Sequence, residues 1–371
     1  MSQRIKRSEK GPALAEQVRE ASHTKLIEVQ QSRVLIPTGS TVLNLMCSGN
    51  PFGGFVAGKL VNIIGDSSSG KSLLTLTMLA EMCQDSFFDN YDLYYDDCED
   101  ALEFDIERLF GKSLASRIIL DVKNGVPGVD VEERSSSSTS EDFYGNFLRV
   151  LKRKKPFVYI VDSWDSLATV EDYERAEEFA KENPKVKGTY GQSKPKLASE
   201  IFRVTTGELR DKEGLLVVIS QTRDNLNAGM FGSTKIRAGG KALRFYSSHE
   251  IWLAVKKHEK TAARYGIISL VKLKKNKITG CEDELDLPIL YNYGVDDTYS
   301  CIDFLLKNSY WKKERNTGFI NAARPFGRKT FEEMIEHVEK NNLTKELKQC
   351  VYECWQKIEA KRTPNRKPKF E

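Results

Sequence analysis

Eight consecutive residues restrict the fold of this 371-residue chain more than any others: Gly65, Asp66, Ser67, Ser68, Ser69, Gly70, Lys71 and Ser72. They satisfy the pattern G-x-x-x-x-G-K-[ST] in full. An apolar run at 60–64 precedes them and a segment of helical pattern at 71–84 follows. A glycine-rich turn that joins a strand to a helix in this way is a phosphate-binding loop. Gly65 and Gly70 let the backbone wrap so that its N–H groups aim at phosphate oxygens beside a helix N-terminus. Lys71 neutralises the outer phosphates of a nucleoside triphosphate, and the Ser72 hydroxyl ligates Mg²⁺. A chance glycine-serine loop would leave the flanking strand and helix unexplained.

The alternation continues downstream. Strand-like runs at 91–95, 117–120, 157–161 and 215–219 are separated by helical patterns at 101–110, 141–152 and 195–210. Strands that read as continuous apolar runs are buried on both faces, which predicts an α/β fold with a mostly parallel sheet between helical layers. Residues 250–255 and 267–273 follow one another without a helix and are expected to extend the sheet as an antiparallel edge. Residues 12–32 read as a helix, with Pro12 in its first turn, and 34–36 as a short extended segment before Pro37. Past residue 297 the strand pattern fades. The expected division is a helical arm at 1–36, a core at 37–298, and a small, separate helical domain at 299–371 that ends in a flexible basic tail.

Composition excludes several classes. Apolar residues make up 40% and charged residues 30%, a globular balance. No apolar run exceeds five residues, whereas a membrane span needs about 20. Residues 1–10 are polar, and no secretory leader is expected. Seven cysteines without a C-x-x-C pair, and four histidines without metal spacing, point to reduced thiols in a cytoplasmic protein. The net charge of +4 is a cancellation. Residues 356–371 alone sum to +4, 222–241 to +3 and 272–277 to +4, against six carboxylates in 171–182.

Chemistry-bearing residues lie around this framework. Asp162 ends the run Phe157-Val158-Tyr159-Ile160-Val161, where such a carboxylate holds Mg²⁺; Ser163 and Asp165 beside it read as local hydrogen-bonding groups. In Asp96-Asp97-Cys98-Glu99-Asp100 one carboxylate orients the attacking water. Spacing does not choose among them, and capping of the helix at 101–110 by Asp100 is an equal alternative. The segment 222–241 combines glycines with Arg223, Lys235, Arg237, Lys241, Met230 and Phe231, which suits backbone tracking plus stacking on DNA. A second candidate lies at 185–196, which carries four lysines, Lys185 and Lys187 among them, and no acid, with Tyr190 between Gly188 and Gly191; the acidic stretch before it reads as a solvated helix face. The lysines at 272–277 fit either an exposed strand edge or a charge donor acting in trans.

These segments resemble the RecA-like recombinases, including their phage relatives of the UvsX kind, over about residues 34–295. The resemblance is carried by Ile36-Pro37-Thr38-Gly39-Ser40, the phosphate loop, the segment 95–102, Leu216–Gln221, Met230-Phe231-Gly232, Gly239-Gly240-Lys241-Ala242-Leu243-Arg244-Phe245-Tyr246, and Lys272–Lys277. It implies a RecA-like P-loop ATPase fold with ATP and Mg²⁺ as cofactors. Glu99 becomes the catalytic glutamate and Gln221 the sensor of the γ-phosphate. Met230, Phe231, Gly232, Gly239, Gly240 and Lys241 fall in the second DNA loop and the helix after it. Phe245 lies at the subunit interface, from which Lys275 and Lys277 reach the neighbour's ATP. Two positions depart from the pattern. Ile106 replaces the tyrosine that stacks on adenine, beside Glu103 at a position that bonds adenine. The basic tail replaces an acidic one.

The implied activity is DNA-dependent ATP hydrolysis in filaments on single-stranded DNA, followed by pairing with duplex DNA and strand exchange. Single-strand-binding and mediator proteins are the implied accessory partners, with no membrane involved, in the cytoplasm or that of a phage host. Two alternatives use the same core: a ring motor or helicase, which would lack the Met-Phe-Gly loop, and a non-catalytic ATP- and DNA-binding filament or mediator, which needs no catalytic glutamate.

Overall fold

The computed structural model describes residues 33–123, 136–181, 193–224, 235–237, 240–261, 264–362 and 366. The helix expected over 12–32 lies outside them. A strand pair, Leu35–Ile36 (β1) and Phe55–Val56 (β2), flanks the helix Thr41–Ser48 (α1). The main sheet then contains Lys59–Gly65 (β3), Asp92–Asp97 (β4), Ile118–Ile119 (β5), Phe157–Asp162 (β6), Leu215–Asp224 (β7), Lys235–Arg237 (β8), His249–Lys260 (β9), Tyr265–Asn276 (β10), Glu284–Leu290 (β11) and Gly294–Val295 (β12). Their order is β12-β11-β10-β9-β3-β7-β6-β4-β5, with β8 on the far end of β7.

From β9 to β5 every pair is parallel, so the predicted mostly parallel sheet is present. One expectation is corrected. The strand at 249–260 is no antiparallel edge: it runs parallel to β3, from Val61↔His249 to Gly65↔Leu253, and only β10, β11 and β12 turn antiparallel. The helix Gly240–Tyr246, which precedes β9, supplies the crossover that a parallel return requires.

The helices in chain order are Lys71–Met82 (α2), Ile106–Phe110 (α3), Lys112–Arg117 (α4), Ser140–Lys152 (α5), Val170–Phe179 (α6), Ser193–Asp211 (α7), Gly240–Tyr246 (α8), Asp297–Lys307 (α9), Phe331–Lys340 (α10) and Thr344–Arg362 (α11). The single helix expected at 101–110 is shorter and starts late. Asp97 takes the backbone N–H groups of Ala101 (3.2 Å) and Leu102 (2.8 Å), which holds that stretch outside a helix. Asp105, not Asp100, then caps α3 through Arg108 N–H at 2.9 Å.

Alternation along each central strand builds two cores. Val158 and Ile160 of β6 join Val61, Ile63, Val217 and Ile219 under α1 and α2. Phe157, Tyr159 and Val161 face the other way with Leu216 and Val218, under α5 and α7. Phe143, Phe147, Tyr159 and Trp164 pack there ring against ring, mostly edge to face. Residues 297–362 add three helices and a small sheet of Lys312–Lys313 (β13), Ile320–Asn321 (β14) and Arg328–Lys329 (β15). Leu305, Trp311, Val351 and Trp355 belong to the same apolar cluster as the sheet. The Asp297 carboxylate accepts from Thr41 N–H at 2.7 Å, which ties α9 to α1.

Phe147 is fully buried, 5.3 Å from Tyr159 and 5.6 Å from Phe143 between ring centroids. Phe147→Ala is expected to cost about 3–5 kcal/mol of stability in chemical denaturation. Phe87→Ala, at a ring that is 60% exposed, should change it by less than about 1 kcal/mol.

Candidate functional site

In an open parallel sheet, ligands bind beyond the carboxyl ends of the strands. Here β3, β7, β6 and β4 are neighbours that all run one way, so Gly65, Gln221, Asp162 and Asp97 leave the sheet at one edge. The loop 65–72 follows β3 and α2 begins at Lys71. Its turn needs the residues it has. Gly70 has φ +95°, which glycine alone adopts without strain. A Cβ on Gly65 would overlap Ser69 Oγ and lie 2.6 Å from Leu253 O. Such a close approach of backbone leaves a cradle of the kind that wraps phosphate.

Lys71 is only 8% exposed, and its ammonium is turned back onto Gly65 O (3.0 Å) and Asp66 O (2.7 Å). Burial lowers its pKa; the charges of Asp162, Glu99, Asp66 and Asp165 oppose that. Ser72 Oγ donates to Asp162 Oδ2 at 2.6 Å, and Tyr95 OH donates to the same oxygen at 2.5 Å. Burial pushes the Asp162 carboxyl up, against those two hydrogen bonds. Two hard oxygen donors side by side at the foot of a phosphate cradle fit Mg²⁺.

The structure sorts the acidic cluster that spacing left open. Asp96 is fully buried and accepts from Ser137 Oγ and Tyr159 OH, each at 2.7 Å. Asp97 is occupied with the turn at 101–102. Asp100 has φ +50° at the turn itself. Glu99 meets the other site residues: its Oε1 accepts from Gln221 Nε2 at 2.7 Å and from Ser163 Oγ. Glu103 is exposed, whereas Ile106 is half-buried against the apolar cluster that contains α2.

Sequence reasoning missed four contacts. Tyr95 reaches Asp162 because β4 and β6 are in parallel register. Asp66 accepts from the Thr222 hydroxyl and, at 3.1 Å, from Lys235 Nζ, so the phosphate loop holds both flanks of residues 225–234. The Thr222 hydrogen bond is the main cause of a lowered Asp66 pKa. Asp165 Oδ2 accepts from the Gln221 backbone N–H at 2.7 Å.

Of the proposed DNA contacts, Lys185, Lys187, Tyr190, Met230, Phe231, Gly232 and Gly239 lie outside the described residues. Gly240 and Lys241 open α8, Arg223 is exposed at the end of β7, and Lys235 is half-exposed. Arg237 is corrected. It points inward, 9% exposed, to pair with Glu250 at 3.3 Å and to donate to Asn62 Oδ1 at 3.2 Å, so it is no free cation for DNA. Phe245 is 71% exposed. Beside it Lys275 donates to Arg244 O and to Phe245 O (3.2 Å), and Lys277 donates to Phe245 O (3.0 Å), all on the outer end of α8.

The family model for the RecA N-terminal domain matches residues 165–296. The chain is 27% identical to Protein RecA of Leifsonia xyli, over 75% of this chain and 70% of that protein. It is 27% identical to Protein RecA of Clavibacter michiganensis, over 75% and 68%, and 26% identical to that of Agrobacterium fabrum, over 82% and 74%.

Removing one partner from a buried ion pair leaves the other charge uncompensated, at about 3–5 kcal/mol. Arg237→Met is therefore expected to lower the midpoint of thermal unfolding markedly. A cation exposed to DNA would leave it unmoved.

Proposed function

We propose that this chain is a recombinase of the RecA kind, a DNA-dependent ATPase that completes its catalytic site only between neighbouring subunits of a filament on single-stranded DNA. The observation that carries the reading is Glu99 held by Gln221 Nε2 at 2.7 Å, opposite a phosphate loop whose Ser72 touches Asp162. Bound Mg²⁺ supplies charge neutralisation at the phosphates, with Ser72 and Asp162 to hold it. Glu99 takes the proton from the attacking water, and Ser163 and Gln221 aim its carboxylate. Lys71 leaves its two carbonyls for phosphate oxygens. Gln221 stands where β7 runs on to residues 222–241, so its amide reports the nucleotide state to the proposed DNA-binding segment.

Lys275 and Lys277 serve the neighbour's site. In a single chain they rest on the end of α8, away from their own phosphate loop and next to exposed Phe245, a suitable interface residue. Residues 1–36 form the oligomerisation arm, 37–298 the ATPase core, and 299–371 an attached domain whose basic tail favours DNA. Exposed Glu103 and half-buried Ile106 are assigned to the adenine side. The basic tail and Ile106 favour a phage-type, UvsX-like member acting in a host-cell cytoplasm. Single-strand-binding and mediator proteins are the proposed accessory partners. Among the described residues, no helix is long and apolar enough to cross a membrane.

The decisive assay is ATP turnover with and without single-stranded DNA. Wild type should be stimulated, and Glu99→Gln should bind ATP yet turn over about 10²–10⁴-fold more slowly. Unchanged turnover by Glu99→Gln would reject the assignment.

Lys275 gives a pH signature. Burial, then the charges of Lys277 and Arg244, pull its pKa down to about 8, with Glu250 opposing. The ammonium is present below that value and lost above it, so kcat/KM, which reports the free enzyme, should fall as pH rises through about 8. Lys275→Arg, charged throughout this range, should abolish that limb.

A further inference from the structure

We propose that Asp165 is a positioning residue for Gln221, and that through it both candidate DNA segments reach Glu99; this presumes the roles given above to Gln221 and Glu99. The need for such a residue lies in the ladder. β6 pairs with β7 from Val158↔Leu215 to Val161↔Val218, and β6 ends at Asp162 while β7 continues to Asp224. The N–H of Gln221 has therefore outrun its neighbouring strand. Asp165 Oδ2 accepts it at 2.7 Å, in place of the missing carbonyl.

The turn that carries Asp165 is itself fixed on both sides. Trp164 N–H donates to Ile219 O at 3.0 Å, so the turn docks on β7 two residues before Gln221. From the other side comes Lys194, the second residue of α7. Its ammonium donates to Trp164 O (2.8 Å), Asp165 O (3.4 Å) and Leu167 O, and lies 5.5 Å from the Trp164 ring centroid. Lys194 thus belongs by sequence to the basic run 185–196, but its charge is turned inward.

One end of each candidate DNA segment is accordingly fastened at the same place. The run 185–196 is fastened to the 164–167 turn through Lys194, and the segment beginning at 222 departs from the residue whose N–H that turn holds. A displacement at either moves the Gln221 backbone relative to Glu99, and the 2.7 Å contact between their side chains is the quantity altered. Asp66 grips the next residue, Thr222, from the phosphate loop, so the Gln221–Thr222 pair is held between two carboxylates, one from the turn after β6 and one from the loop after β3.

The test uses the full chain with ATP and oligo(dT), comparing Asp165→Ala, Asp165→Asn and Gln221→Ala. Without an acceptor for the Gln221 N–H, Asp165→Ala should lose about tenfold in DNA-stimulated kcat. DNA-free kcat and KM for ATP should stay near wild type. Asp165→Asn keeps an amide oxygen for the same N–H and should restore most of the stimulation. Wild-type stimulation in Asp165→Ala, or an equal loss with and without DNA accompanied by a fall in melting temperature, would overturn the proposal. Gln221→Ala separates the premise from the inference. If it keeps full stimulation, the role of Gln221 fails and the proposal with it. If it loses stimulation while Asp165→Ala does not, the role of Asp165 alone fails.

Discussion

The pairing of β3 with β7 is the constraint on which the site depends. The two strands run in parallel without a slip from Lys59↔Leu215 to Gly65↔Gln221. The first glycine of the phosphate loop and the glutamine beside Glu99 are therefore laid side by side, 156 positions apart in the chain but one ladder rung apart in space. Because side chains alternate at every step, a shift of one residue would turn each apolar side chain of β7 to the wrong core. The hydrophobic effect thereby fixes the placement of Gln221: Val217 and Ile219 are fully buried on one face, and Leu216 and Val218 on the other.

Local order was legible in the sequence and long-range order was not. The phosphate loop, its strand and its helix were readable because their chemistry lies within the 25 consecutive residues 60–84, each element with a distinct backbone requirement. The direction of β9 was not, because parallel or antiparallel pairing depends on which neighbour a strand finds. The acidic cluster 96–100 shows the same division. Its residues are alike in charge, and only their partners tell them apart: Tyr159 of β6 and Ser137 hold Asp96 in a buried network, the turn at 101–102 engages Asp97, and Ser163 and Gln221 meet Glu99.

Charge alone was the least reliable guide. Arg237, Lys194 and Lys235 all lie in runs read as DNA-contacting, yet each has an intramolecular acceptor in this structure: Glu250, the carbonyls of 164–167, and Asp66 with Asp224. A guanidinium beside a carboxylate in a low-dielectric pocket is a different object from the same group in water, and the distinction appears only when burial is known.

The two lysines on the end of α8 carry a consequence for counting. If each subunit lends Lys275 and Lys277 to its neighbour and borrows a pair from the subunit on its other side, a row of n chains contains n − 1 complete sites. One end of every filament then holds a nucleotide that it cannot process, and the opposite end offers lysines with nothing to serve. Such an assembly would have a polarity in its chemistry. The fraction of idle sites falls as the row lengthens, so turnover per chain becomes a measure of filament length.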